Sequence, residues 1–257
     1  MNRVEVFSSI AGFTEYRNSL GKNQKVGFVP TMGALHAGHA DLIRRSASEN
    51  DICILSVFVN PTQFNNPEDL LKYPRTFSQD LLLAGENGAQ VVLTPAYEEI
   101  YADSYRFQLS ENSFSTKLCG FYRPGHFDGV LTVVMKLLQI IRPDRAYFGE
   151  KDFQQLQLIS DMAKAFFLPT QIIGCATVRE SDGLAMSSRN VGLSSEGREK
   201  AALLFQALKE FPGKENAIGF LTTNGIHVEY FEEFFNRRFV AAFIDGVRLI
   251  DNVEINK

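Results

Sequence analysis

At 257 residues, 45% of them hydrophobic and 22% charged, the chain has the make-up of an ordinary globular protein with room for one large core or two smaller ones. A formal charge of −4 and a pI near 5.7 remove any global pull toward DNA, RNA or an anionic membrane. No apolar run reaches the roughly 18 residues of a membrane span, and the opening Met1-Asn2-Arg3-Val4-Glu5-Val6 lacks the apolar core of a secretory signal.

In chain order, the apolar run 26–29 predicts a buried strand. It passes through Pro30-Thr31-Met32-Gly33-Ala34-Leu35-His36-Ala37-Gly38-His39 into a helix over 39–50, where Leu42, Ile43 and Ala47 recur at helical spacing. Further strand-like runs lie at 52–59, 90–93, 145–148 and 171–178, with helical stretches over 76–87, 128–141 and 151–167 between them. Alternating strands and helices predict βαβ units and an α/β, doubly wound, mostly parallel sheet. The stretch 130–141 is apolar almost all round, as a helix buried on most sides would be. Its β-branched Thr132, Val133 and Val134 leave a strand open as the alternative. Arg142-Pro143-Asp144 ends it, because the residue before proline avoids the helical region. Beyond Val178 the texture changes: a polar loop over 180–190, a helix over 194–211 capped by Ser194, then β-rich segments from His227. Asp245-Gly246, between 240–244 and 247–250, signals a hairpin. A boundary near Val178 divides the chain into domains 1–178 and 179–257. The three cysteines, Cys53, Cys119 and Cys175, lack metal-type spacing and read as small apolar core residues in a reducing compartment, so the cytoplasm is the expected location.

Two of the four histidines, His36 and His39, stand three apart at the first strand-to-helix turn, beside Gly33 and Gly38. A helix start offers unpaired N–H groups and the positive end of the dipole, and glycine permits close approach, so this turn suits a triphosphate. The alternatives are that both rings are satisfied as caps, or that they are half of a zinc site, which no nearby cysteine or carboxylate completes. Val59-Asn60-Pro61-Thr62-Gln63-Phe64 closes the second strand, where open α/β sheets bind ligands, and offers the amides of Asn60 and Gln63; a plain turn is equally in keeping with Asn-Pro. Phe148-Gly149-Glu150-Lys151-Asp152-Phe153-Gln154-Gln155 repeats the strand–glycine–helix pattern. Helical spacing puts Lys151, Asp152 and Gln155 on one face and Phe153, Leu156, Ile159, Ala163 and Phe166 on the core face. Glu150 and Asp152 can merely complement the dipole, whereas a lysine there gains nothing from it, so Lys151 points to function. Met186-Ser187-Ser188-Arg189-Asn190 can clamp a polyphosphate. His126, in Arg123-Pro124-Gly125-His126-Phe127-Asp128, reads equally as structural or functional, and Asp80 as a metal-facing carboxylate or a solvated helix residue.

These blocks, with Tyr73-Pro74-Arg75-Thr76 and Gly125-His126-Phe127-Asp128-Gly129-Val130, stand in an order that resembles the pantothenate synthetase (pantoate–β-alanine ligase) family of the His-x-Gly-His nucleotidyltransferases, from Val26 to about Gly197. The resemblance implies a Rossmann-like nucleotidyltransferase fold with a smaller α+β C-terminal lid domain. It implies ATP-dependent activation of pantoate to pantoyl adenylate, with loss of pyrophosphate, and then attack by the amine of β-alanine with release of AMP. His36 and His39 would contact the phosphates and Gly38 would let the nucleotide lie close. Lys151 would stabilise the α-phosphate in the transition state, and Ser187, Ser188 and Arg189 would hold the β- and γ-phosphates. Met32, Gly149, Val178 and Met186 would complete the ATP contacts, and Asp152 would bond the ribose. Gln63 and Gln155 would hold pantoate over a floor of Pro30, Met32 and Phe64, with Asn60, Tyr73 and Arg123 at the rim and Asp80 near Mg2+. The expected assembly is a cytoplasmic homodimer with no nucleic-acid or membrane partner. Against that pattern the segment 200–257 is short and rich in phenylalanine (Phe231, Phe234, Phe235, Phe239, Phe243), and reads as the compact core of a reduced domain. The rivals are a nucleotidyltransferase acting on another small acid or phosphate and stopping after the first step, a tRNA-charging enzyme, for which no basic region is present, and an inactive nucleotide sensor.

Overall fold

The computed structural model describes residues 4–211 and 213–255; Met1, Asn2 and Arg3 of the amino-terminal reading, and the last two residues of the expected second domain, lie outside them. The chain forms two compact units. One runs to Gly149 and resumes over Gln154–Cys175; the other joins Glu150–Phe153 to everything from Ala176 onward. The change at Cys175 lies close to Val178, but Lys151 and Asp152 go with the second unit rather than the first.

In the first unit the strands are β1 (Glu5–Phe7), β2 (Val26–Thr31), β3 (Ile52–Val57), β4 (Val91–Leu93), β5 (Arg145–Gly149) and β6 (Gln171–Cys175). They form one parallel sheet in the order β1-β4-β3-β2-β5-β6. Val26, Phe28 and Val29 of β2 are fully buried, as expected where helices cover both faces of a parallel sheet. Val29, Ile43, Cys53, Leu55, Val92 and Tyr147 belong to one core cluster. β2 pairs with β3 on one side and β5 on the other, so the strand order reverses there, the point at whose carboxyl ends open α/β sheets bind ligands. The stretch left open between helix and strand is the helix His126–Ile141, with Val130, Leu131, Val134, Leu137 and Ile141 all buried. Burial on most sides supplies the packing energy that outweighs the modest helix propensity of its β-branched residues.

The second unit packs the helices Ser195–Ala201, Leu203–Glu210 and Lys214–Thr223 with an antiparallel sheet of β7 (His227–Phe234), β8 (Arg237–Ile244) and β9 (Val247–Glu254), in that order. The single helix expected over 194–211 is two, meeting at Ala202; Ser194 does cap the first, its hydroxyl accepting the Gly197 N–H at 3.0 Å. The Asp245-Gly246 turn has positive φ at both residues, as a two-residue hairpin of this hand requires. Phe231 and Phe239 are buried, while Phe235 sits in the left-handed turn between β7 and β8 and is 60% exposed. The phenylalanine-rich segment is therefore only partly core: Phe231 and Phe239 are buried, Phe234 and Phe243 half-buried, and Phe235 lies at the surface of the turn. Full burial of a side chain such as Phe231 contributes about 1.5–3 kcal/mol.

Candidate active site

At the carboxyl end of β2 the chain turns through Gly33 (φ +80) and Ala34 (φ +50). The left-handed alanine costs about 1–2 kcal/mol, and a carboxylate holds it in place. Asp80 is only 3% exposed; its two oxygens accept the Ala34 N–H at 3.1 Å, the Leu35 N–H at 2.8 Å and the Thr76 hydroxyl at 3.1 Å. A Cβ on Gly33 would stand 3.0 Å from the same carboxylate. A buried carboxylate with three donors on it braces the turn, a use that the metal role expected of Asp80 did not include.

The helix that follows is Ala37–Glu49, starting earlier than its apolar period suggested, because His36 is its N-cap and His39 its third residue. His36 Nδ1 accepts the Gly38 N–H at 3.1 Å and His39 Nδ1 accepts the His36 N–H at 3.3 Å, closing a reciprocal cap. A backbone N–H can only donate, so both Nδ1 atoms are acceptors and, in each neutral ring, the proton is on Nε2. The rings lie 4.1 Å apart and half-buried. The cap and ligand readings of these histidines therefore do not compete, since the cap uses one nitrogen of each ring and orients the other.

The Asn60–Phe64 turn is held in the same unit. Asn60 is 1% exposed and both ends of its amide are engaged: Nδ2 donates to Gln63 Oε1 at 3.0 Å and to Gly129 O at 3.2 Å, and Oδ1 accepts from Tyr101 at 2.8 Å and from Thr62 at 3.0 Å. Burial pushes the Tyr101 phenol up to about 12, which keeps it a donor. Asn60 thus departs from the expected rim and positions Gln63, whose Nε2 reaches Met32 Sδ at 3.3 Å. Arg123 also acts on Gln63: its guanidinium donates to Gln63 O at 3.1 Å and to His126 Nε2 at 3.2 Å, which makes His126 Nδ1–H the donor to the same carbonyl at 2.8 Å. Helix and turn approach so closely that a Cβ on Gly129 would lie 2.5 Å from Thr62 O. Tyr73, also expected at the rim, is 6% exposed and meets the edge of Phe64 at 5.9 Å. Pro30, Met32, Gln63 and Phe64 are half-buried, as is Gln155 on the helix Phe153–Ala165. Its neighbour Gln154 is the structural one, bonding Cys119 N–H, Phe114 O and Lys117 O.

In the second unit, Glu150–Asp152 is a 3-10 turn and the α-helix starts only at Phe153, so helical spacing does not relate Lys151 and Asp152 to Gln155. Phe166, expected in the core stripe, is 54% exposed beyond the helix end, while Leu156, Ile159 and Ala163 are buried as expected. The Lys151 side chain is 17% exposed, with its Nζ 3.7 Å from Asp152. Gly149, which ends β5 in the first unit, has open space where a Cβ would go. Val178 O accepts the Met186 N–H at 3.0 Å, which fixes the loop ahead of the 3-10 turn Ser188–Gly192, and Ser187 caps that turn by accepting the Arg189 N–H at 3.2 Å. Four polar residues of this unit escaped the sequence reading. Arg179 pairs with the buried Asp251 through two bonds of 2.6 and 2.9 Å and lies 4.1 Å from the Phe205 ring centre. Asn252 and Arg237 bear on the Lys151 turn itself. Burial raises the Asp251 carboxyl, and the Arg179 guanidinium opposes that rise.

The profile of the family described as Pantoate-beta-alanine ligase matches residues 5–254. A pantothenate synthetase from Bdellovibrio bacteriovorus is 51% identical over 252 residues, which span 98% of this chain and 100% of the relative. One from Coxiella burnetii is 45% identical over 254 residues, 99% of this chain and 98% of the relative. Among solved structures, a pantoate-beta-alanine ligase from Francisella tularensis, complexed with beta-gamma ATP and beta-alanine, superposes with a TM-score of 0.95 at 43% identity, covering 99% of this chain and 98% of that one. A pantothenate synthetase from Thermus thermophilus gives 0.89 at 36% identity, covering 99% and 100%. These relatives are matched over almost their whole length, so the segment 200–257 is not short by comparison with them.

Proposed function

This chain belongs to the pantoate-beta-alanine ligase family, and from that premise we propose how its side chains divide the work. The protein is a ligase that condenses pantoate with β-alanine at the expense of ATP. A carboxylate oxygen of pantoate attacks the α-phosphorus and pyrophosphate leaves; the β-alanine amine then attacks the acyl carbon, loses a proton, and AMP leaves. The substrate supplies its own nucleophile, so the protein's task is orientation and charge stabilisation.

The reciprocal histidine cap carries this reading. It engages Nδ1 of both rings and so places the proton of each neutral ring on Nε2, beside a helix start that already favours anions, and we assign the Nε2–H groups of His36 and His39 to the phosphates of ATP, with Gly38 allowing close approach. Gln63 and Gln155 are assigned to the hydroxyls and carboxylate of pantoate, over Pro30, Met32 and Phe64. Lys151 is assigned to the charge that develops on the α-phosphate, and Ser187, Ser188 and Arg189 to the β- and γ-phosphates. Asp152 is assigned to the ribose, and Met32, Gly149, Val178 and Met186 to the remaining nucleotide contacts. The described residues offer no cage for a magnesium ion: Asp80 already accepts three hydrogen bonds, and among the described residues no group of three or more His, Cys, Asp or Glu side chains could hold a metal. We assign magnesium to the phosphates of the incoming ATP instead.

We further propose a cytoplasmic homodimer. The burial of Cys53, Cys119 and Cys175 supports a reducing setting, and no helix among the described residues is long and apolar enough to cross a membrane. The exposed Phe121 and Tyr122 of the first unit support a covered face; a sedimenting mass of 28.8 kDa rather than its double would remove the dimer. The activity is tested by pantoate-dependent exchange of pyrophosphate into ATP, followed by AMP release when β-alanine is added. Exchange that ignores pantoate, or prefers another acid, would favour the nucleotidyltransferase alternative.

A further inference from the structure

Strand β9 carries two consecutive buried polar residues, Asp251 and Asn252, which are 4% and 2% exposed and have no part in the chemistry above. Asn252 Nδ2 donates to Glu150 O and to Lys151 O, both at 2.9 Å. These carbonyls belong to the two peptide groups that flank the Lys151 Cα, so one side-chain amide anchors the backbone on both sides of the lysine. Asn252 Oδ1 accepts from Arg237 Nε at 2.9 Å. The Arg237 guanidinium lies 4.3 Å from the centre of the Phe153 ring and 3.5 Å from the Glu150 carboxylate, so it holds the residues at both ends of the same turn. The backbone of Asn252 is fixed in its turn: its N–H donates to Asp251 Oδ1 at 2.7 Å and its carbonyl accepts from Arg179 at 3.2 Å, while Arg179 grips Asp251. The Lys151 charge also acts on the Asp251 carboxyl, lowering its pKa against the rise caused by burial.

We infer that Asn252 is a positioning residue for the ligation: it sets the two peptide groups from which the Lys151 side chain rises, and so aims the ammonium. The inference rests on the role proposed for Lys151. Asparagine is suited to the place because one amide nitrogen offers two donors and its oxygen offers an acceptor. A misplacement of about 1 Å in a charge-stabilising group costs on the order of 10²-fold in rate.

The test is a double-mutant cycle on the full chain, read by single-turnover formation of pantoyl adenylate and by pyrophosphate exchange. Asn252→Asp keeps the size and the acceptor toward Arg237 but has no donor for the two carbonyls; Asn252→Ala removes all three bonds. Each is expected to lower kcat by roughly 10- to 100-fold while KM for pantoate and ATP moves by less than about threefold. In a Lys151→Ala background the same substitutions are expected to add less than about twofold, because a residue that acts through the lysine has nothing left to aim. Rates within about twofold of the parent for both single variants, or losses that multiply in the double variants, overturn the inference. Should neither Asn252 variant fold, Arg237→Lys, which loses the Nε donor to Asn252 while keeping a cation near Glu150, carries the same cycle with the same two outcomes. Full activity of Lys151→Ala alone is a separate result: it removes the role proposed for the lysine and the inference with it.

Discussion

The histidine turn and the lysine turn are built alike and held differently. Each leads from a strand of the parallel sheet into a helix, and each is assigned to the phosphates of ATP. The histidine turn is held largely by near neighbours: the caps span two and three residues, and a remote brace, Asp80, comes from a helix 45 and 46 residues on. The lysine turn has its two carbonyls held by Asn252, from 101 and 102 residues away. A turn stabilised by its own side chains can lose its chemistry and keep its shape. One held from a distant strand has its geometry, and hence its chemistry, set by a residue that bears no resemblance to a catalytic group.

The most severe test of this contrast is His39→Gln. Glutamine at the third helical position can still accept the His36 N–H, as it does in ordinary capping boxes, so the melting temperature should hold to within a few degrees. Loss of one charge-stabilising donor should nevertheless cut the rate of pantoyl adenylate formation by about 10²–10³. A variant of near-parental activity would reduce His39 to a cap alone. Next in size is Asp80→Ala, which leaves the Ala34 and Leu35 N–H groups without their acceptor. At about 1–3 kcal/mol for each buried donor and about 2–4 °C per kcal/mol, calorimetry should show a fall of roughly 5–20 °C. Activity should fall with it, while in Asp80→Asn the magnesium concentration for half-maximal rate should not move. A clear rise in that requirement would restore Asp80 as a metal ligand and make the histidine turn less self-contained. The smallest effect concerns a long-range contact that braces neither turn. The hydrogen bond from Lys136, and then the Phe107 N–H, hold the Asp103 carboxyl down to about 2 against an ordinary 3.8. A depressed carboxylate stabilises the fold fully above its unfolded pKa and loses that contribution as pH falls through the folded one. NMR titration of the Asp103 carboxyl should therefore show no protonation above about pH 4 and a midpoint near 2, which Lys136→Met should raise. A midpoint near 3.8 in the parent protein would show that the pair contributes nothing.

Much of the fold was legible because it is periodic. Alternating apolar runs announced β2 to β6 and the long helices, and Asp245-Gly246 announced its hairpin, since strand pairing and helix burial repeat at 2 and 3.6 residues. Elements too short to show a period were not legible: β1, at three residues, and the helix Tyr97–Ile100, at four. The site residues were recognised through ordered blocks, but their division of labour was not. Nothing local marks Asn60 as buried and Gln63 as half-exposed, or tells Gln154, bonded to the 114–119 segment, from Gln155 beside it.

By itself the sequence determined the α/β alternation, the glycine–histidine turn and the family, because each is written in neighbouring residues whose spacing has a direct steric or hydrogen-bonding meaning. The tertiary structure decided that both histidines cap through Nδ1, that Asp80 braces the turn ahead of them, that His126 and Arg123 serve the Gln63 carbonyl, and that Asn252 holds the carbonyls on both sides of Lys151. A buried polar bond between residues tens of positions apart has no period and no motif. Each partner is a single polar letter, and only folding shows which backbone group it faces.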